Sequence, residues 1–247
     1  MDLDLVLNDA LKYPYQALER VLILGVVPLG AMIISLVILV ALSFTGSAEA
    51  LAIGGFLVVV LFFLSCLFVG GYYIRVMEST LTGGEEVPDF SRWGELLLNG
   101  LKLLVVKLLY LLVPLLILVL CSWLVISTPD EHLVVVVLLS ICLVLLSMLL
   151  SGLFLALSTA HLASTRSMKE ALRIGLVWKM ISAIGWGDYL LWYLLMLVLV
   201  MVAVTLMALL SIVPLVGAFL GWILIQPYLV ILVARSVALA YLAADEV

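Results

Sequence analysis

Six stretches of this chain, each about twenty residues or longer, are built almost wholly of Leu, Val, Ile, Ala and Phe, and they constrain its fold more than any other feature. A hydrocarbon layer about 30 Å thick is crossed by roughly 20 helical residues at 1.5 Å rise each. The stretches run Val21 to Phe44, Leu51 to Tyr73, Leu103 to Ile126, Leu133 to Leu157, Tyr189 to Ile212 and Pro214 to Val233. Without water to bond the backbone, each is expected to be helical. Apolar residues make up 67% of the 247 and charged residues 11%, against roughly 45–50% and 25% in soluble domains. The expected fold is therefore all-α, an integral membrane helical bundle forming a single membrane domain over residues 1–247. With a net charge of −5 and no dense run of Lys and Arg, nucleic acid is excluded as a partner.

The N-terminal Met1-Asp2-Leu3-Asp4 lacks the basic region of a cleavable signal, so the first stretch is expected to be retained as a span. Every Lys and Arg lies before the first span, between the second and third, between the fourth and fifth, or near the end of the sixth, except Lys107, which stands in the first turns of the third. The opposite loops, "TGSAEA", "STPDEH" and "SIVP", carry none. The bias predicts a cytoplasmic membrane protein with both termini in the cytoplasm. Cys66, Cys121 and Cys142 sit inside apolar runs without C-x-x-C spacing and read as small apolar fillers.

Pro28 and Pro114 are 86 positions apart, and so are Arg75 and His161. A single offset thus superposes a mid-span proline and a basic group closing each helical hairpin. Arg235 in "LVARSV" closes a third, shorter copy, which predicts pseudo-repeats over 1–80, 81–166 and 167–247. Each copy carries a short amphipathic stretch before its hairpin. Leu3, Val6, Leu7, Ala10 and Leu11 form the first, ending at Tyr13-Pro14. Phe90, Trp93, Leu97 and Leu101 fall on one face of a helix expected from Phe90 to Leu101, with Lys102 marking entry into the third span. In the third, Ser167 and Glu170 have capping-box spacing, and Ala171, Ile174, Leu176 and Trp178 supply the apolar side. These read as interfacial helices anchored by Phe90, Trp93 and Trp178, or alternatively as linkers resting on the bundle.

"DALKYP", "GYYIRVMESTL" and "EEVPDFSRWGELLLNGLKLL" resemble a family of archaeal multi-pass membrane proteins known as a domain of unknown function. The resemblance extends over essentially the whole chain. It implies an archaeal cytoplasmic membrane and no established activity.

Chemistry is sparse. His132 stands with Asp130 and Glu131 in a turn, but adjacent residues project apart and no second ligand-rich segment faces them, so no metal site is expected. No Asp or Glu lies within a span, where an ion-coupled transporter would hold one. Arg75, His161, Arg235, Lys102 and Lys107 lie near the basic ends of spans and read as interfacial, lipid-contacting groups. Gln226-Pro227 is a mid-span break that serves as a kink or lines a cavity, and Pro28 and Pro114 are further expected kinks. Gly217 and Gly221 form a GxxxG motif for close helix packing, within one copy or between copies.

No catalytic constellation emerges, so an enzyme is not expected, and no cofactor is called for. The leading expectation is a structural or interaction protein, homo-oligomeric, whose interfacial helices organise membrane lipids or dock a protein partner on the cytoplasmic side. The alternative is a permease or lipid-handling transporter, which would need a polar cavity between repeats.

Overall fold

The computed structural model describes residues 2–213 and 216–245 of the chain. The described residues are mostly helical with no strand, and six helices are long and apolar enough to cross a membrane. Helix α1 (Leu3–Lys12) is capped by the Asp2 carboxylate, which accepts from the amides of Asp4 and Leu5. Pro14 then opens a tight 3-10 turn, Tyr13–Ala17, and α2 (Leu18–Ser43) makes the first crossing. It is followed by α3 (Ala48–Leu81), α4 (Trp93–Ser127), α5 (Leu133–Thr165), two short helices α6 (Met168–Ala171) and α7 (Ile174–Ile184), then α8 (Trp186–Leu210). The last crossing comprises α9 (Val216–Leu220), a π-helical turn at Gly221–Ile225, and α10 (Gln226–Asp245). Pro214, expected to begin that span, lies outside the described residues.

Helices α3, α4 and α5 have 34, 35 and 33 residues, each about 50 Å long at 1.5 Å per residue. That exceeds the hydrocarbon thickness by some 20 Å. The excess of all three lies at the end of the bundle where the Lys and Arg residues gather, and there the core forms. Buried Tyr72, Val76, Leu96, Leu157, Leu162 and Ile181 all belong to it. The other half is open: in five of the six spans only 11–22% of the most apolar window is buried within the chain. The last span, at 50%, is the central one, and α10 packs against α1, α2, α3, α5 and α7.

Glycines set the contact between α3 and α4. A Cβ on Gly100 would stand 1.9 Å from the carbonyl oxygen of Leu67, and one on Gly71 would stand 1.8 Å from that of Leu96. Helices α3 and α4 therefore meet backbone to backbone, each supplying glycine where the other presents a carbonyl.

Three expectations are corrected. The helix predicted from Phe90 to Leu101 starts instead at Trp93 and runs unbroken into the span, so Lys102 marks no boundary. Residues 87–92 are not helical, and Arg92, in a left-handed conformation (φ 54°), turns the chain into α4. The reason is that side chains claim the carbonyls a helix would use: Tyr13 donates to Glu86 (2.8 Å), Tyr72 to Pro88 (2.7 Å), and Arg75 to Asp89 (3.2 Å) and Ser91. Ser167 precedes α6 at the cap position but makes no capping bond; Glu170 pairs with Arg173 at 2.9 Å instead.

At the centre of the buried end stands Arg235 of α10. It donates from Nε to Asp9 of α1 at 2.6 Å, and from Nη1 to the Gly84 carbonyl at 2.8 Å and the Thr80 hydroxyl at 3.3 Å. Its guanidinium also lies 4.4 Å above the Tyr13 ring.

Four variants test these contacts by thermal unfolding in detergent. Gly100→Ala is expected to cost about 3 kcal/mol through overpacking against the Leu67 backbone. Gly94→Ala, one and a half turns earlier with open space at its Cβ position, is expected to be neutral or to stabilise by about 0.5 kcal/mol; equal effects would refute the close approach. Arg235→Leu is expected to cost about 3 kcal/mol, because Asp9 and the Gly84 carbonyl lose a charged donor. Asp9→Asn should cost about 1 kcal/mol, its side chain being 45% exposed.

Candidate functional site

The five basic residues expected at the lipid interface separate into two kinds. Arg75, His161 and Arg235 are each only 8% exposed, so they face the protein interior and not lipid. Burying a cation requires partners, and the chain supplies them. Arg75 holds the 87–92 segment by the Asp89 and Ser91 carbonyls and lies 4.0 Å from Glu95. The Ser91 hydroxyl, donating to Asp89 at 2.9 Å, holds that carboxyl below its usual range, aided by the Ser91 amide and the nearby guanidinium of Arg75. His161 Nδ1 is 2.9 Å from the Tyr241 hydroxyl, which is also 3.2 Å from that of Ser164. Arg235 is bound as described above. These three act as internal ties.

Lys102 and Lys107 are the other kind. Lys102 is half-buried on α4, and its ammonium is 3.4 Å from the carbonyl of Arg166 at the end of α5. Lys107 lies one and a half turns further into the span on an exposed flank, with its ammonium 5.4 Å from the centroid of the Tyr73 ring. Among the described residues no carboxylate lies within salt-bridge reach of it. Beside it opens a cleft of about 210 Å³, lined by Thr159, Ala156, Tyr193, Met196 and Val200 among others. The cleft wall is almost wholly apolar. Two of its hydroxyls are engaged internally: Thr159 donates to the Ala156 carbonyl at 2.7 Å, Tyr193 to that of Leu149 at 3.2 Å. Trp192, also on the wall, donates from Nε1 to Ser236 at 2.8 Å.

The aromatic anchors do not lie in a common helix plane. Phe90, in the non-helical segment, stacks on Tyr72 at 4.4 Å and Phe68 at 5.7 Å. Trp93 opens α4, 60% exposed, against Phe68 at 5.2 Å. Trp178 of α7 is exposed and packs edge-on against Trp186 at 4.7 Å.

Pro28 and Pro114 lie inside helices that continue through them. The irregularity at Gln226-Pro227 falls just before it. Proline has no N–H to give the carbonyl four residues back, Ile223, and the helix is π-helical over Gly221–Ile225. The Ile223 carbonyl turns toward α2, where a Cβ on Gly25 would meet it at 2.5 Å. Gln226 Oε1 is buried and accepts no hydrogen bond from the described residues. Gly217 and Gly221 pack within the chain: a Cβ on Gly217 would stand 1.6 Å from the Leu210 carbonyl, and one on Gly221 would touch Met207 at 3.4 Å.

Tyr73 and Thr159, which flank Lys107, were not singled out by sequence. A signal existed, since they too are 86 positions apart. His132 lies in an exposed turn, and among the described residues no group of three His, Cys, Asp or Glu side chains could hold a metal.

A family model described as a protein of unknown function (DUF4013) matches residues 53–212. No curated protein and no solved structure matches the chain. The matched stretch runs from within α3 to just past α8, so it takes in Arg75, the 87–92 segment, Lys107 and His161, while α1, Arg235 and Gln226 lie outside it. With six helices that can cross a membrane and a family match over most of its length, this multi-pass membrane protein belongs to the DUF4013 family.

Proposed function

We propose that this protein is a structural element of the cytoplasmic membrane, assembling as a homo-oligomer and holding lipid between its spans, with its basic end and both termini in the cytoplasm. The observation that carries the reading is the contrast between the two halves of the bundle. The basic end has a packed core, while the apolar windows of five spans are only 11–22% buried. Grooves between those spans are apolar; one of about 440 Å³ between α4 and α5 is lined by Leu118, Cys121, Ile126, Ser140, Ile141 and Val144, among others. Lipid tails are as apolar as Leu, so such grooves gain nothing by closing and are filled by chains or by neighbouring copies. The rigid basic end then fixes where those chains and copies sit.

A permease is a second reading, favoured by one observation, the unpartnered Gln226 oxygen next to the π-helical turn. Such irregular turns inside membrane helices accompany substrate paths.

One experiment separates the two. Protein extracted in mild detergent is examined by light scattering and phospholipid assay, and the expected result is more than one copy per particle with lipid retained through gel filtration. A lipid-free monomer would sink the structural reading. Movement of a fluorescent lipid between leaflets of reconstituted vesicles, abolished by Gln226→Leu, would replace it with the permease.

A further inference from the structure

We infer that the cleft beside Lys107 binds one anionic membrane lipid, its phosphate on the lysine ammonium and the first part of an acyl chain in the cleft. The inference rests on the lipid-holding reading above and assigns it a site.

Depth is the first argument. Lys107 lies about twenty residues before Ser127, where α4 ends, so it stands about 30 Å from that end at 1.5 Å per residue. This is the thickness of the hydrocarbon layer. With the far end of α4 at one membrane surface, Lys107 is at the opposite boundary, level with headgroup phosphates and well away from the midplane where coupling ions bind.

The second argument is charge. An ionisable group inside a membrane helix is kept with a partner. Among the described residues Lys107 has the face of Tyr73 and no carboxylate. Arg75 and Arg235, by contrast, are satisfied by carbonyls and acids of the chain itself. The ammonium retains donors for an outside anion.

Shape is the third. The cleft starts among Lys107, Tyr73 and Thr159 and continues past Leu155 and Gly152 of α5 and Leu197 and Val200 of α8. Leu155 and Gly152 lie farther from the basic end along α5 than Thr159, and Leu197 and Val200 lie farther from it along α8 than Trp192 and Tyr193, which also line the cleft. A chain whose head rests on Lys107 therefore descends toward the membrane centre. The volume of about 210 Å³ corresponds to roughly seven groups of water size at about 30 Å³ apiece, enough for one chain segment and too small for two. A free phosphate ion would use the lysine but leave the apolar cleft unfilled, so a lipid accounts for both.

The test is native mass spectrometry of the full chain released from vesicles of equal parts phosphatidylglycerol and phosphatidylcholine. Wild type should retain phosphatidylglycerol over phosphatidylcholine by about fivefold, the preference expected of one lysine at a membrane surface. Lys107→Gln should lose the preference and Lys107→Arg keep it, with unfolding temperatures close to wild type. If Lys107→Gln fails to fold, Leu197→Trp, which fills the cleft from its lipid side, supplies the reading instead by lowering bound lipid of both kinds. The proposal is overturned if Lys107→Gln keeps the preference, if it dissociates the oligomer with lipid selection unchanged, or if millimolar inorganic phosphate displaces the lipid. Wild type carrying no lipid at all would defeat the structural reading itself, whereas bound lipid with a preference indifferent to Lys107 defeats the site alone.

Discussion

The guanidinium of Arg235 is the interaction on which the basic end of the bundle depends. A cation withdrawn from water costs several kcal/mol unless its donors are filled, and here they are filled from three directions. Asp9 arrives from α1, the Gly84 carbonyl and Thr80 from the end of α3 and the turn after it, and the Tyr13 ring covers the planar face. Asp9 and Arg235 are 226 positions apart in sequence. The first helix can therefore dock fully only when the last is in place, and α10 becomes the post around which α1, α3, α5 and α7 close.

Next to that tie, the 87–92 segment replaces helical hydrogen bonds with side-chain ones. Tyr72 and Arg75 of α3 donate to its carbonyls, and Tyr13, in the turn after α1, donates to that of Glu86 just before it. Tyr13 belongs to both systems, as donor to Glu86 and as the ring beneath Arg235. The connection between α3 and α4 is thereby fixed at its carbonyls, while Gly71 and Gly100 fix the helices themselves at their closest approach. Two independent constraints hold one helix pair, so the angle at which α3 and α4 diverge into the membrane is set from the basic end.

Sequence revealed the spans because hydropathy and length are local properties, and five of the six expected stretches lie wholly within helices of the structure or overrun them by only two residues. A span does not mark where its helix ends on the basic side. Beyond Tyr73, α3 runs on to Leu81, and on that extension the charges of Arg75 and Glu78 are met by the Ser91 carbonyl and by Arg166, from other parts of the chain. Phe90 has the right periodicity for a helix with Trp93 and Leu97, but periodicity does not register that Tyr72 and Arg75 claim the carbonyls around it. Arg75, His161 and Arg235 resembled lipid-facing groups for the same reason. A lone basic residue near a span end looks alike whether it snorkels or is buried, and only its three-dimensional partner decides.

That distinction also explains why Lys107 stands apart from the other basic groups at this end. An arginine offers a planar fork that a set of carbonyls and one carboxylate can fill from fixed directions, which suits it to an interior tie. A lysine presents a compact charge on a flexible stem and adapts to an acceptor whose position varies. In this chain the two arginines at hairpin-closing positions are turned inward onto defined oxygens, and the lysine deepest in a span lies on an outward flank over an aromatic ring. The choice of cation thus follows the geometry around it: oxygens at fixed places in the chain, on Asp9, Gly84, Asp89 and Ser91, are met by an arginine fork, and the flexible stem of Lys107 is set on the outward flank, where among the described residues no carboxylate reaches it.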